Sequence, residues 1–490
     1  MASPRIWRRR GLGLIVVGAL AFSLPACGNR LPKEQLLADS RGGPVALQIG
    51  STTANQAGLP ASTGTVASAD GTRAPAAIDA GAAAVSSARA GNGASPPASV
   101  PTVAPAITST TSNAGAGTAG CAAPKSEVAI GTVGGQSGVI GAAVRPGTDA
   151  VKAWVAQTNA KGGLACHPIH YYVADDGGDP SRNAALTQQM VDERHVIAMI
   201  FSSNPLSAQG GKPILERAKV PTIGSEGGDD YFNTSPDFFP VAASGTRSIE
   251  AMFGALAGRL TPEQKTHVGV LACIEVSICS NYSGSTGQQV AEGFGLKVVY
   301  AGGSTMVQPD YTSNCESAEH AGAQVLFLSG DGGMDSRVIK SCATIGFHPL
   351  YFTSPIALAP SIAELPEMEG VGLGLTVTPW TADSPVARAY LAALAKFVPG
   401  ASPSGSGSLG WAAAMVLEKA GQNLPDNPQP KDVYAGLWTF KKVDFGGYTT
   451  ALTYTRDRPA SYATCWWTLS IHDRQWTVAD TKRTCATGSA

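Results

Sequence analysis

The amino-acid sequence predicts an α/β protein of two doubly wound, parallel-sheet lobes, and three observations carry that expectation. Residues 128–133 form a β-branched and apolar run closed by the turn Gly134-Gly135-Gln136-Ser137-Gly138. A helical segment over about 147–160 follows, with Val151, Trp154, Val155 and Thr158 at helical spacing, and a second strand runs over 169–173. Strand, helix and strand in so short a stretch are the kernel of a parallel sheet. The same alternation recurs as far as residue 354, and the chain from 121 to 490 is long for one domain but natural for two lobes.

Taken in order, the chain opens with a leader. Arg5, Arg8, Arg9 and Arg10 precede an apolar stretch over 11–24, too short to cross a bilayer, which needs roughly 20 residues. The sequence Leu24-Pro25-Ala26-Cys27 looks like a bacterial lipobox, although Pro25 is unusual at its place. Residues 1–27 are therefore expected to be a lipoprotein signal, with Cys27 becoming the lipidated N-terminus. From 28 to 120 there is no Phe, Trp or Tyr, and Ala, Gly, Ser, Thr and Pro dominate. Such a segment buries too little apolar surface to offset its ordering entropy and reads as a disordered linker.

After the first unit, Gly162-Gly163 reads as a helix C-cap and Asp179-Pro180 as an N-cap followed by proline. A helix to about 194, a strand over 195–201 and the loop 202–208 follow, with Ser203 and Ser207 where a helix N-terminus offers free N–H groups. The next strand, 220–224, ends in Ser225-Glu226-Gly227-Gly228-Asp229-Asp230. Strands are then expected over 267–272, 296–301, 324–329 and 350–354, with helices over 246–260, 311–321, 336–345 and 386–397. The run Gly405-Ser406-Gly407-Ser408-Leu409-Gly410 fits a dinucleotide fingerprint in letters, but it follows Pro403 instead of a strand and reads as a flexible connector. The tail over 465–476 alternates as a hairpin rich in tryptophan.

The phrase Asn159-Ala160-x-Gly162-Gly163, then a strand, then Asp175-Asp176-x-x-Asp179-Pro180, resembles the first unit of type I periplasmic binding proteins. Within them it is most similar to the branched-chain amino-acid and amide-binding branch of ABC-transporter receptors. The resemblance spans nearly all of 121–454 and implies two lobes joined by three crossings. Lobe 1 would comprise 121–242 and 378–450, and lobe 2 would comprise 243–377 and 451–490 with the C-terminal hairpin. It implies that Ser203 or Ser207 serves a ligand carboxylate, that backbone near Gly227 adds donors, and that Tyr282 packs on the ligand. It also exposes departures. Gly227-Gly228 stands where the family has a Ser/Ala/Thr-rich turn, with three acids added, Glu226 among them; Asp331 stands where an aromatic is common, and Pro355-Ile356 lacks the carboxylate that would hold an α-ammonium group. Gln136 and Ser137 complete the candidate ligand set.

Nine cysteines are present, and with Cys27 assigned to lipid eight remain. An even number in an exported chain argues for disulfides, and neighbour pairing across the expected strands and helices gives Cys121–Cys166, Cys273–Cys279, Cys315–Cys342 and Cys465–Cys485. Zinc ligation would need a C-x-x-C, which is absent. A net charge of −1 with 14% charged residues gives no reason to expect nucleic acid or an anionic membrane surface as partner. No G-x-S-x-G elbow occurs, and an extracellular hydrolase is the least supported reading.

The resulting expectation is a non-enzymatic, cofactor-free, monomeric solute-binding lipoprotein on the outer face of the cell membrane. It would capture a small polar solute between its lobes and deliver it to an ABC permease. The alternative is a surface sensor or cell-wall interaction protein that reuses the fold without transport. The anchor has a direct test: Cys27→Ser should abolish labelling by a lipid precursor and release the protein or leave its signal uncut, whereas a mutant still lipid-labelled and membrane-bound would exclude the lipobox.

Overall fold

The computed structural model describes residues 107–110, 121, 123–138, 140–225, 230–357, 360–480 and 482–486. The leader, Cys27 and nearly all of the expected linker lie outside the described residues. One part of that linker departs from expectation. Ile107–Thr110 forms strand β1, which pairs antiparallel with β3 (Ile169–Asp175), Ile107 opposite Ala174 and Thr110 opposite Tyr171. The segment is β-branched and polar, and it covers a sheet edge that would otherwise present unpaired backbone groups.

Lobe 1 is built on a six-stranded sheet in the order β1-β3-β2-β4-β5-β6, with β2 at Val128–Gly134, β4 at Ala198–Ile200, β5 at Thr222–Ile223 and β6 at Phe238–Phe239. All its pairs except β1–β3 are parallel. Helix α1 (Gly141–Ala160) starts before the predicted position, and Pro146 lies inside it, past the first turn, where it donates no bond to the Ala142 carbonyl. The helix buries Val144, Val151, Trp154 and Val155. Gly162 and Gly163 end the turn that follows with φ of 103° and 92°, and a Cβ on Gly163 would fall 2.1 Å from the His167 carbonyl oxygen. Helices α2 (Pro180–Asp192) and α3 (Ala208–Ala218) complete this half, and Asp179 caps α2 by accepting from the Arg182 N–H at 2.7 Å.

Lobe 2 repeats the plan. Its sheet runs β13-β12-β11-β10-β9-β7-β8, with β7 at Val268–Cys273, β8 at Val298–Ser304, β9 at Val325–Ser329, β10 at Leu350–Thr353 and β11 at Gly372–Leu375. These five are parallel to one another, while β12 (Cys465–His472) and β13 (Gln475–Val478) add an antiparallel hairpin and β14 (Thr484–Cys485) pairs back onto β12. Helices α4 (Thr246–Ala257), α5 (Ser277–Ser283), α6 (Ser285–Gly293), α7 (Thr312–His320) and α8 (Gly332–Thr344) flank it. Trp466 is buried against α4, where a Cβ on Gly254 would lie 2.4 Å from its ring.

Helices α9 (Pro385–Phe397), α10 (Gly405–Ala420) and α11 (Pro430–Leu437) return the chain to lobe 1. The glycine-rich run expected to be a flexible connector is the first turn and a half of α10. Ser404 caps it, accepting from the Gly407 N–H at 3.1 Å, and the run is buried throughout. A Cβ on Gly410 would lie 2.2 Å from the Gly147 carbonyl oxygen, and one on Gly407 would lie 1.9 Å from the Tyr390 hydroxyl. The glycines are there for close helix crossing, which overrides their low helix propensity.

The chain thus passes between lobes three times, before α4, after β11 and before β12. Hydrogen bonds tie the passages together: Tyr454 Oη donates to the Pro240 carbonyl at 2.6 Å, and the Thr378 N–H donates to the Tyr448 carbonyl at 3.0 Å. Leu452 still pairs with Val443, and Tyr454 packs on Phe239, so the third passage starts a few residues beyond 450.

Four disulfides join Cys121–Cys166, Cys273–Cys279, Cys315–Cys342 and Cys465–Cys485. The first closes a separation of 45 residues and the second one of 6. Loop-closure entropy then sets an order: replacing Cys121 and Cys166 by alanine should cost about 4 kcal/mol in denaturant unfolding and replacing Cys273 and Cys279 about 2 kcal/mol. Equal losses from the two pairs would show that chain entropy does not govern them.

Candidate functional site

In each lobe the strand order reverses beside a central strand, β2 in lobe 1 and β7 in lobe 2, so loops leave in opposite directions from adjacent strand ends. Such switch points, at the C-terminal ends of the strands, are where open α/β sheets receive ligands. In lobe 1 the ends of β2 and β4 approach so closely that a Cβ on Gly134 would lie 2.4 Å from the Ser203 carbonyl oxygen, which also accepts from the Gly135 N–H.

Two adjacent acids organise this edge. Asp175 Oδ1 accepts from the N–H groups of Gln136 at 2.9 Å, Ser137 at 3.2 Å and Gly177 at 3.0 Å. Burial pushes its carboxyl up, but these bonds and one from the Ser137 hydroxyl outweigh it and hold Asp175 below the usual carboxylate range. Asp176 is fully buried. Its carboxylate accepts from the Gly178 N–H at 2.8 Å, from Asn183 Nδ2 at 2.6 Å and from Ser207 Oγ at 2.8 Å, so β3, α2 and α3 meet on one side chain.

These bonds sort the lobe 1 candidates. Ser207 occupies the N-cap position of α3 but makes no capping bond. Its hydroxyl is spent on Asp176, so it is structural and not free for a ligand carboxylate. Ser137 is likewise engaged with Asp175. Ser203 Oγ and Gln136 Nε2, by contrast, are buried without a hydrogen-bond partner among the described residues. Glu226 and Gly227 lie outside the described residues.

In lobe 2 the structure corrects the role expected of Tyr282. Its ring is buried between Phe253 and Phe327, at centroid distances of 5.9 and 4.9 Å, and burial pushes its phenol far up. It is a core residue, because the loop tightened by Cys273–Cys279 folds α5 back onto the sheet. Asp331 caps α8, accepting from the Met334 N–H at 2.7 Å. Burial raises its carboxyl, against the opposing pull of that bond and of Arg337. The start of α8 is sealed, since a Cβ on Gly332 would lie 2.2 Å from Ile362. Pro355 and Ile356 form a 3₁₀ turn, and Asp335 is fully buried on α8 with a bond from the Thr353 hydroxyl.

A cavity of about 410 Å³ has walls from both lobes. Arg145 and Asp149 come from α1, Gly400 and Ser402 from the loop before α10, and Ser361 from lobe 2. Asp149 pairs with Lys152 at 2.8 Å, whereas among the described residues Arg145 has no ion pair. Of the residues singled out in the sequence, the described ones, Gln136, Ser137, Ser203, Ser207, Tyr282 and Asp331, do not line this cavity. Its walls come from one helix face and two distant loops, a combination with no motif to announce it. Among the described residues no three His, Cys, Asp or Glu side chains are placed to share a metal ion.

The profile of the family described as "Periplasmic binding protein" matches residues 127–473. No curated protein matches the chain. Among solved structures, a fatty acid ABC transporter substrate-binding protein from Thermomonospora curvata is 16% identical, with a TM-score of 0.64 over 74% of this chain and 95% of that one. The branched-chain amino acid transporter substrate binding protein LivJ from Streptococcus pneumoniae, in complex with isoleucine, is 13% identical, with a TM-score of 0.61 over 74% of this chain and 100% of that one. An ABC transporter solute binding protein from R. palustris, in complex with benzoate, is 13% identical, with a TM-score of 0.61 over 74% and 97%. At such identities the likeness establishes the fold and leaves the ligand open.

Asp335 offers a pH test of the lobe 2 edge. Burial holds its carboxyl well above the ordinary range, so the folded state keeps a proton that the unfolded state has lost. Stability should therefore fall as pH rises from about 4 towards the raised folded value. Asp335→Asn, which can still accept from Thr353, should flatten that decline in denaturant unfolding curves. An unchanged pH slope in the variant would show that Asp335 is ionised in the folded protein.

Proposed function

The chain belongs to the periplasmic binding protein family, a family of extracytoplasmic binding proteins and not of enzymes, and on that premise we propose that it is a lipid-anchored receptor that captures a small polar solute and hands it to an ABC import permease. The observation that carries the reading is the cavity walled by α1 and the 400–402 loop on one side and by Ser361 on the other. A site with one wall on each lobe gives a ligand the means to favour the closed form, because only closure brings both sets of contacts to it. Its volume of about 410 Å³ suits a small solute. Anchoring rests on the lipobox-like sequence ending at Cys27. Among the described residues no helix is long and apolar enough to cross a membrane.

The same chemistry limits the solute. A buried α-ammonium group needs a carboxylate partner. None stands at Pro355-Ile356, and Asp331 is engaged in capping α8. The cavity walls offer Arg145, Ser361, Ser402 and Asp149, and the last of these is already paired with Lys152. Leucine, isoleucine and valine are therefore poor ligands in this reading, and the preferred solute is polar without a free α-amino group. Calorimetry with these three amino acids, alongside a thermal-shift panel of amides, sugars and carboxylates, tests it. The expected result is no saturable heat from the three, and about tenfold weaker binding of any panel hit by Arg145→Ala. Leucine binding tighter than about 1 µM would overturn the ligand class.

A further inference from the structure

The three passages between the lobes are joined by a fourth connection that no passage requires. Residues 444–449 form a closed loop on lobe 1. The N–H groups of Gly447 and Thr449 both donate to the Asp444 carbonyl, at 3.0 and 3.1 Å, and the buried Tyr448 donates to the Ser408 carbonyl of α10 at 3.3 Å. The second passage grips the same loop, since Thr378 Oγ1 donates to the Gly447 carbonyl at 3.2 Å. From the other side comes Arg483, on the C-terminal tail of lobe 2. Its Nη1 donates to the Gly447 carbonyl at 3.3 Å and also to the Thr449 carbonyl.

The tail that carries Arg483 is held by covalent means. β14 pairs with the start of β12, Cys485 opposite Cys465, and the disulfide between them fixes the tail to the lobe 2 sheet. The Ala486 N–H adds a bond to the Thr464 carbonyl at 2.9 Å. A two-residue strand alone would not stay paired in water. Between the tail, the loop and the second passage lies a cavity of about 910 Å³, bordered by Trp467, Val478, Phe445 and Val386. Arg483 reaches along the rim of that space and meets lobe 1 through hydrogen bonds.

We propose that the disulfide-braced tail is a latch on the hinge, and that Arg483 holds the two lobes at a set angle and so fixes the balance between open and closed forms. Carbonyl oxygens accept over a broad range of directions, so such a contact can be made, shifted or broken as the lobes rotate, which a packed apolar seam does not permit. The cystine converts a local bond into a contact between lobes, because without it the tail would move with Arg483 and transmit nothing. The latch does not depend on which solute the protein carries.

Double electron–electron resonance on the ligand-free protein tests this. Spin labels on non-natural amino acids at the exposed positions Ala185 and Glu316, one per lobe, leave the cystines intact. Arg483→Ala, and separately the pair Cys465→Ser and Cys485→Ser, should broaden the interlobe distance distribution and change the ratio of its populations by roughly three- to tenfold. Lys482→Ala, an exposed neighbour on the same tail, should superimpose on the wild type. Should the cysteine pair fail to fold, Arg483→Ala decides alone. Distributions for Arg483→Ala that superimpose on the wild type, or an equal change in Lys482→Ala, would overturn the latch.

Discussion

The candidate cleft edge of lobe 1 depends on one buried carboxylate. Asp176 sits at the end of β3 out of reach of water, where an unpaired charge would cost several kcal/mol. It is tolerated because donors from three elements converge on it: the Gly178 N–H, Asn183 on α2 and Ser207 at the start of α3. Thr187 extends the set by bonding Asn183, and a Cβ on Gly211 of α3 would lie 2.4 Å from Asn183, so α2 and α3 can meet only at a glycine. Placing one acid thus places two helices, and with them the loop from 202 to 207 that carries Ser203.

Acids at strand ends play the same part throughout the molecule. Asp175 gathers the loop after β2. Glu275, just beyond β7, accepts from the N–H groups of Ile274 at 3.2 Å and Met306 at 2.8 Å and so fastens the loop after β8. Burial opposes its ionisation, but the bonds from Thr305, Met306 and its neighbours prevail and hold it below the usual range. Asp230 accepts from the Thr246 N–H at 2.9 Å where the first passage becomes α4. In a chain with only 14% charged residues, acids used in this way are unavailable to a solute. The carboxylates that look poised for a ligand in the sequence are mostly fastening loops.

What the sequence made legible follows from this division. The alternation of strand and helix, the Gly162-Gly163 stop and the Asp179-Pro180 start depend on local backbone preferences, and local preferences are written residue by residue. The helix at Gly405 was not legible, because glycine favours a loop until Gly147 and Tyr390 press against it. Tyr282 and Ser207 show the corresponding limit for the site. Position after a strand identifies which residues stand at the cleft edge, but not which way a side chain turns. Ser207 turns inward to Asp176 and Tyr282 inward to Phe327, while Arg145 and Ser361 come together only through the arrangement of the lobes.

The strand at 107–110 also decides how the molecule responds to a mechanical pull. It runs antiparallel to β3 with Ile107 beside Ala174, so the chain preceding it meets lobe 1 at the cleft end of the sheet. Tension applied to that preceding chain loads lobe 1 alone and leaves lobe 2 free to swing. Four paired residues are a weak fastening and yield first. The cystine at Cys121 then takes the load, since Cys166 anchors it ahead of β3. The lobe is thereby fitted with a breakable link in front of a covalent stop, an arrangement that absorbs a tug before it reaches the fold.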